Sequence, residues 1–152
     1  LHRNFQGYTT KAGTDLLGFG MSAIGSIGRR YVQNRRELAD YRSAVASEGA
    51  ATFRGATLTD DDVLRREVIQ SLLCHGVVVR SEIERRFGID FDAEFATAVE
   101  ALAPCVEDGL VTIDAREIRA TALGRVFLRN LAMPFDAYLG QPAEKPVFSR
   151  TL

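Results

Sequence analysis

Gly18, Gly20, Gly25 and Gly28 lie in the segment DLLGFGMSAIGSIG, residues 15–28, among leucine, phenylalanine, methionine and isoleucine. Glycine-rich turns beside apolar strands can cradle phosphates with their backbone N–H groups. The spacing fits neither established form. A dinucleotide fingerprint needs G-x-G-x-x-G, but Gly18-Phe19-Gly20 is followed by Met21, Ser22 and Ala23. A phosphate loop needs lysine directly after its second glycine. Gly20 and Gly25 have the required separation, but Ser26 stands where the lysine should be. The glycines are therefore expected to serve tight turns and close backbone approach.

Arginine is the second chemical feature. Arg29, Arg30, Arg35, Arg36 and Arg42 follow the glycine segment, and His2 and Arg3 precede it. A guanidinium fork suits carboxylates, so a polycarboxylate ligand and a solvated helix face are both readings of this cluster. Metal chemistry finds less support. His2 and His75 are the two histidines, and Cys74 and Cys105 the two cysteines. None of them stands at a zinc or redox spacing. The cysteines read as reduced, buried thiols, and His75 as a helix C-terminal cap or a packed residue.

The chain has 152 residues, 46% hydrophobic and 26% charged, with a net charge of −1. Those values describe a globular chain without a global field for nucleic acid or an anionic membrane. No stretch approaches the ~18 apolar residues of a membrane helix. Cysteine usage points to a reducing, cytoplasmic compartment. The opening at Leu1, without methionine, looks like a cut through a longer protein.

Residues 1–33 read as strand and loop, and residues 34–135 as helices with one hairpin. Asn34 and Glu37 form a capping-box pattern ahead of Leu38, Tyr41 and Val45, with a stop at Gly49. Residues 49–58 read as a linker or short strand. Thr59 caps a helix whose first turn holds Asp60, Asp61 and Asp62 and whose stripe is Leu64, Val68 and Leu72, ending at Gly76. Val77, Val78 and Val79 form a short apolar run. Ser81 and Glu84 predict a second capping box for a short helix to Gly88. A further helix starts near Phe91 or Asp92, with Phe95, Val99 and Leu102 as its buried face. Residues 110–113 and 117–120 form a hairpin. Thr121 caps a last amphipathic helix with Leu123, Val126, Phe127 and Leu131. The tail from Met133, with Pro134, Pro142 and Pro146, reads as irregular.

Helix, short helix, helix, hairpin and helix over residues 59–132 make a winged-helix-like order. A winged-helix binding module is therefore the alternative reading of the whole chain. Its would-be recognition helix argues against DNA. Residues 87–115 contain no Lys, Arg or His but carry Asp90, Asp92, Glu94, Glu100, Glu107, Asp108 and Asp114. DNA affinity rests on neutralising phosphates, and this surface would repel them.

The strings HRNFQGYTT (2–10) and TDLLGFGMSAIGSIG (14–28) resemble the oxygen-independent coproporphyrinogen III oxidases of bacterial haem synthesis. The likeness continues through YVQNRREL (31–38), FRGATLTDDD (53–62), RREVIQSLLC (65–74), LAPCVEDGLV (102–111), TALGRVFLRNLAMPFDAYL (121–139) and FSR (148–150). NFQGYTT is its specific part, and it argues against the haem-chaperone relatives.

The resemblance implies a mainly α fold with a small β component. Residues 1–50 would be the end of a radical S-adenosylmethionine (β/α) barrel, and 51–152 a helical, winged-helix-like C-terminal domain that covers the barrel. Family members are much longer and begin with a C-x-x-x-C-x-x-C loop whose thiolates hold a 4Fe–4S cluster. Cys74 and Cys105 do not match that loop. The chain then looks like the last part of the enzyme, inactive alone, without its own metal site or bound cofactor, and partnered by the missing barrel. The family's cluster cleaves S-adenosylmethionine to a radical, and two propionates of coproporphyrinogen III become vinyl groups, giving protoporphyrinogen IX. No nucleic acid or membrane partner is implied, and the parent is expected to be a cytoplasmic monomer.

By the same resemblance, Phe5 and Gln6 match residues lining the family's active site, and Ile24 a position contacting S-adenosylmethionine. Arg3, Arg29 and Arg30 are candidate propionate partners. The acidic 87–115 span makes one expectation independent of the family. Anisotropy titration of duplex DNA with this chain at physiological salt should show no salt-dependent binding, and tight binding there would restore the winged-helix module.

Overall fold

The computed structural model describes residues 1–139; Pro142, Pro146 and the FSR string lie outside the described residues. Two compact units form, one of residues Leu1–Gln70 and one from Ser71 onward. Of the two readings of residues 49–58, linker or short strand, the strand is what residues 52–57 adopt. They form a strand paired with the strand before the first helix.

In the first unit, β1 (His2–Asn4) and β2 (Gly7–Thr9) make a hairpin in which Arg3 faces Tyr8. A separate antiparallel sheet has the order β3 (Ile24–Ile27), β4 (Arg30–Asn34) and β5 (Thr52–Thr57). Gly28, at φ +54°, turns β3 into β4, and its N–H donates to Asp15 Oδ1 at 2.7 Å. The helix α1 spans Leu38–Glu48 and ends at Gly49 in the left-handed region. Asn34 does not open it. That residue ends β4, and the helix N-cap is Glu37 without a side-chain cap bond. The side chain of Asn34 is used elsewhere, as described below, so the capping-box pattern has no cap to supply.

The helix α2 (Asp60–His75) begins in the first unit and ends in the second. Thr59 and Asp62 form the reciprocal capping box: Thr59 Oγ1 accepts from Asp62 N–H at 3.1 Å, and Asp62 Oδ2 accepts from Thr59 N–H at 2.8 Å. Leu64, Val68 and Leu72 are buried, as their i, i+4 spacing requires.

In the second unit, β6 (Val77–Val79) leads directly into α3 (Arg80–Phe87), whose N-cap is Val79 rather than Ser81. Glu84 instead reaches forward, its Oε1 accepting from Phe91 N–H at 3.1 Å. Asp90 caps α4 (Phe91–Glu100) by accepting from Ala93 N–H. Then come α5 (Ala103–Glu107), β7 (Val111–Ile113) and β8 (Glu117–Ala120). The sheet order is β6–β8–β7, antiparallel throughout.

The expected last helix is broken. Residues Gly124–Phe127 form a 3-10 turn, and α6 covers only Leu128–Ala132. Leu123, Val126 and Phe127 are exposed, while Leu131 is buried. The cysteines are half-buried rather than buried, and His75 is exposed at the end of α2.

The core of the second unit is aromatic. Phe91 and Phe95 lie with ring centroids 4.9 Å apart, and Phe95 meets Phe135 edge-on at 5.5 Å. Leu72, Leu102, Ile118 and Leu131 are fully buried in this unit. Among the described residues five strands precede α2 and three follow it, so the fold is mixed α/β rather than mainly α with a small β component. The short β5 and β6 segments carry little alternation to reveal them, the latter being three valines.

Gly124 gives the fold a sharp test. A Cβ there would sit 1.8 Å from the Leu110 carbonyl oxygen, within backbone that cannot swing aside. Gly124→Ala should lower unfolding free energy by about 3 kcal/mol in urea titration. Gly109→Ala meets open space and should cost only about 1 kcal/mol for its positive φ.

Candidate functional site

The glycine segment is a loop folded against its own strand. Leu16 and Ser26 exchange two backbone hydrogen bonds of 2.7 and 2.8 Å. A Cβ on Gly25 would meet Leu16 O at 2.9 Å, and one on Gly18 would meet Ile24 C at the same distance. Those two glycines therefore clear space for residues 16–18 to lie against β3. The next turn is tied to β4 and α1. The Asn34 side-chain amide donates to the carbonyls of Gly18 (3.1 Å) and Gly20 (2.9 Å), and Gly20 N–H donates to Tyr41 Oη at 3.3 Å. Ser22 N–H donates to Arg35 O at 2.8 Å, and Asn34 N–H to Ala23 O at 3.0 Å. The backbone amides that a phosphate cradle would present are in part already bonded within the protein.

A cleft of about 390 Å³ opens beside the first hairpin. His2, Arg3, Asn4 and Phe5 line it from β1 and its turn, Ser26 and Tyr31 from the sheet, and Arg66 and Gln70 from α2. Gln70 fixes the arrangement. Its Nε2 donates to Arg3 O at 2.5 Å, and its Oε1 accepts from Arg3 N–H at 3.0 Å. One side-chain amide thus pairs with both polar groups of a backbone residue, as a neighbouring strand would. Arg66 lies one turn earlier on the same face of α2. It donates to Tyr31 Oη at 3.3 Å, and the Phe5 ring meets the Tyr31 ring edge-on at 5.2 Å.

The sequence-derived site residues are distributed unevenly around this cleft. Arg3 and Phe5 line it. Gln6 is exposed at the β1–β2 turn, with its N–H on Asn4 Oδ1 at 2.8 Å. Ile24 is half-buried in β3 and is not among the lining residues. Arg29 is committed to Asp60 at 2.7 Å, and Arg30 is exposed at the start of β4. The cleft residues that sequence reasoning missed are Tyr31, Arg66 and Gln70. Only the i, i+4 spacing of Arg66 and Gln70 hinted at a shared face. A second hollow of about 340 Å³ is lined by Arg35, Arg36 and Arg54, but also by Glu37 and Asp40. Among the described residues no group of three or more His, Cys, Asp or Glu could hold a metal ion. Cys74 and Cys105 stand on α2 and α5 and do not fit a cluster's thiolate set.

Residues 58–127 match the family model for the HemN C-terminal domain. The oxygen-independent coproporphyrinogen III oxidases of Salmonella typhimurium and Escherichia coli are each 48% identical to the chain over all 152 residues, which is 33% of their length. The Pseudomonas aeruginosa enzyme is 44% identical over 139 residues, 91% of this chain and 30% of that protein. The solved coproporphyrinogen III oxidase (HemN) of Escherichia coli, described as a radical SAM enzyme, superposes with a TM-score of 0.88 at 49% identity. It covers 91% of this chain and 32% of that one.

Fold and matches together define the class, a chain carrying the HemN C-terminal domain. More particularly, it is similar along all 152 residues to the oxygen-independent coproporphyrinogen III oxidases, and it spans about a third of the length of the curated relatives it matches.

Asn34 offers a direct check on the glycine loop. Asn34→Asp preserves shape but turns an amide donor into an acceptor facing two carbonyl oxygens. Stability should fall by about 1–3 kcal/mol near neutral pH. The new carboxyl would titrate high, so the loss should shrink as pH falls and the group regains a proton. Chemical denaturation at several pH values reads both effects.

Proposed function

We propose that the chain supplies the C-terminal part of an oxygen-independent coproporphyrinogen III oxidase and is inactive by itself. The carrying observation is 48% identity to two such enzymes along the entire chain. The reaction converts two propionate side chains of coproporphyrinogen III to vinyl groups, each losing carbon dioxide, a hydrogen atom and an electron. A 4Fe–4S cluster with S-adenosylmethionine supplies the hydrogen-abstracting radical when bound. The residues present here do not fit the cluster, so this chain's part is to bind, orient and exclude water.

In this reading, residues 1–50 complete the barrel and residues 51–152 cover it, with a winged-helix-like core over 59–132. The pairing of β6 with the β7–β8 hairpin supports that core, and its acidic α4 makes it a packing module rather than a nucleic-acid reader. Phe5 and Ile24 give apolar cover, and Gln6 hydrogen-bonds S-adenosylmethionine or substrate. The exposure of Phe5 and Gln6 supports the assignment, because both are open to a ligand from outside this chain. Arg3 is favoured over Arg29 and Arg30 as a propionate partner, since it lines the cleft and they do not, and Arg29 is paired with Asp60. The parent enzyme works in the cytoplasm as a monomer; no helix among the described residues is long and apolar enough to cross a membrane.

A chimera tests the proposal. This chain should replace the matching third of the Escherichia coli enzyme and sustain anaerobic formation of protoporphyrinogen IX. Gln6→Ala in that chimera should lower turnover on the order of tenfold, the worth of one hydrogen bond to a charged group, with the cluster absorbance intact. A folded, cluster-bearing chimera without turnover would overturn the functional reading, and unchanged turnover in Gln6→Ala would overturn that residue's role.

A further inference from the structure

The cleft beside the first hairpin has an unusual charge balance. His2, Arg3 and Arg66 line it, and no aspartate or glutamate does. Among the described residues Arg66 makes no ion pair. One of its guanidinium nitrogens donates to Tyr31 Oη at a long 3.3 Å. A guanidinium carries five N–H donors, so most of this fork has no acceptor among the described residues. Tyr31 Oη accepts from Arg66, and its own proton has no acceptor there either. Two donors therefore converge at one point, beside the Phe5 ring that meets Tyr31 edge-on. The clamp from Gln70 onto Arg3 holds this wall in place.

We propose that Arg66 and Tyr31 form a carboxylate-binding subsite, for a ligand whose carboxylate is attached to an apolar body lying against Phe5. A half-exposed arginine is screened by water, but a fork that meets a carboxylate bidentately gains geometry and energy together. Tyr31 adds a neutral O–H donor to the same oxygen pair. The source of the carboxylate rests on the proposed function: a propionate of the tetrapyrrole. The amino-acid carboxylate of an S-adenosyl compound offers the same chemistry, so the test separates the two.

Coproporphyrin III, the stable oxidised form bearing the same propionates, is titrated into the complete 152-residue chain by fluorescence. Its methyl ester and S-adenosylhomocysteine are titrated alongside. Arg66→Met should weaken coproporphyrin III binding about tenfold or more, and Tyr31→Phe several-fold. Arg66→Lys should recover only part of the loss, and the ester should be indifferent to all three. Thermal unfolding of each variant checks that the fold is kept. If S-adenosylhomocysteine alone binds, and does so through Arg66, the subsite stands and the tetrapyrrole reading fails. If coproporphyrin III binds equally well to parent chain and Arg66→Met, the subsite is overturned and the proposed function survives. If neither compound binds, the subsite is overturned.

Discussion

A backbone amide or carbonyl withdrawn from water without a partner costs about 1–3 kcal/mol, and where residues 1–70 leave the strand ladders and helices, side chains meet part of that constraint. Asn34 satisfies two carbonyls of the glycine loop, and Gln70 satisfies both backbone groups of Arg3. Apolar burial does less in this unit. Leu17, Phe19, Met21, Ile27 and Phe53 are all exposed, and the fully buried Val68 comes from α2. The unit's geometry is set by directional polar contacts, which fix where the hairpin and the loop sit. The second unit obeys the opposite rule: three phenylalanines and their aliphatic neighbours exclude water.

That contrast explains what the sequence disclosed. Periodicity reports burial, so the helices with buried stripes were legible: α2 through Leu64, Val68 and Leu72, and α4 in part, since Phe95 and Leu102 are buried as expected while Val99 is half-buried and Ala98 is buried instead. Left-handed stops were legible at Gly49, Gly76 and Gly88 because only the backbone is involved. The Thr59 cap was legible because both halves of its box serve their own helix. Asn34 with Glu37 and Ser81 with Glu84 have the same pattern, yet the Asn34 and Glu84 side chains bond residues elsewhere. Asn34 reaches the glycine loop, and Glu84 reaches Phe91. Local pattern does not reveal which partner wins.

The candidate site suffered more from the same limit. Phe5 and Arg3 were within reach because they sit in a distinctive string. Tyr31, Arg66 and Gln70 are brought to them by tertiary contacts spanning 67 residues in the case of Arg3 and Gln70. The glycines showed a further gap. Their spacing excluded phosphate motifs, but only coordinates show that Gly18 and Gly25 yield to Ile24 and Leu16 of their own segment.

Charge, too, divides by partner rather than by count. The acidic span 87–115 looked like a single repulsive surface, but several of its members are occupied. Asp90 caps α4, and Asp92 pairs with Arg80, whose guanidinium also lies over Phe91 at 5.5 Å. Asp114 accepts from Glu117 and Arg116 N–H, and these bonds hold its carboxyl below the ordinary aspartate range. Such acids shape turns and helix ends, and their negative charge has a structural use wherever the chain is placed. Arg29, Arg80 and Arg119 are consumed in the same way, by Asp60, Asp92 and Glu117. Arg66 differs from all of these. It stands in a cleft without an acid, bonded only to a phenol that is itself a donor. A guanidinium in an acid-free cleft, with most of its donors unmet among the described residues, is where this unit can take a partner from outside.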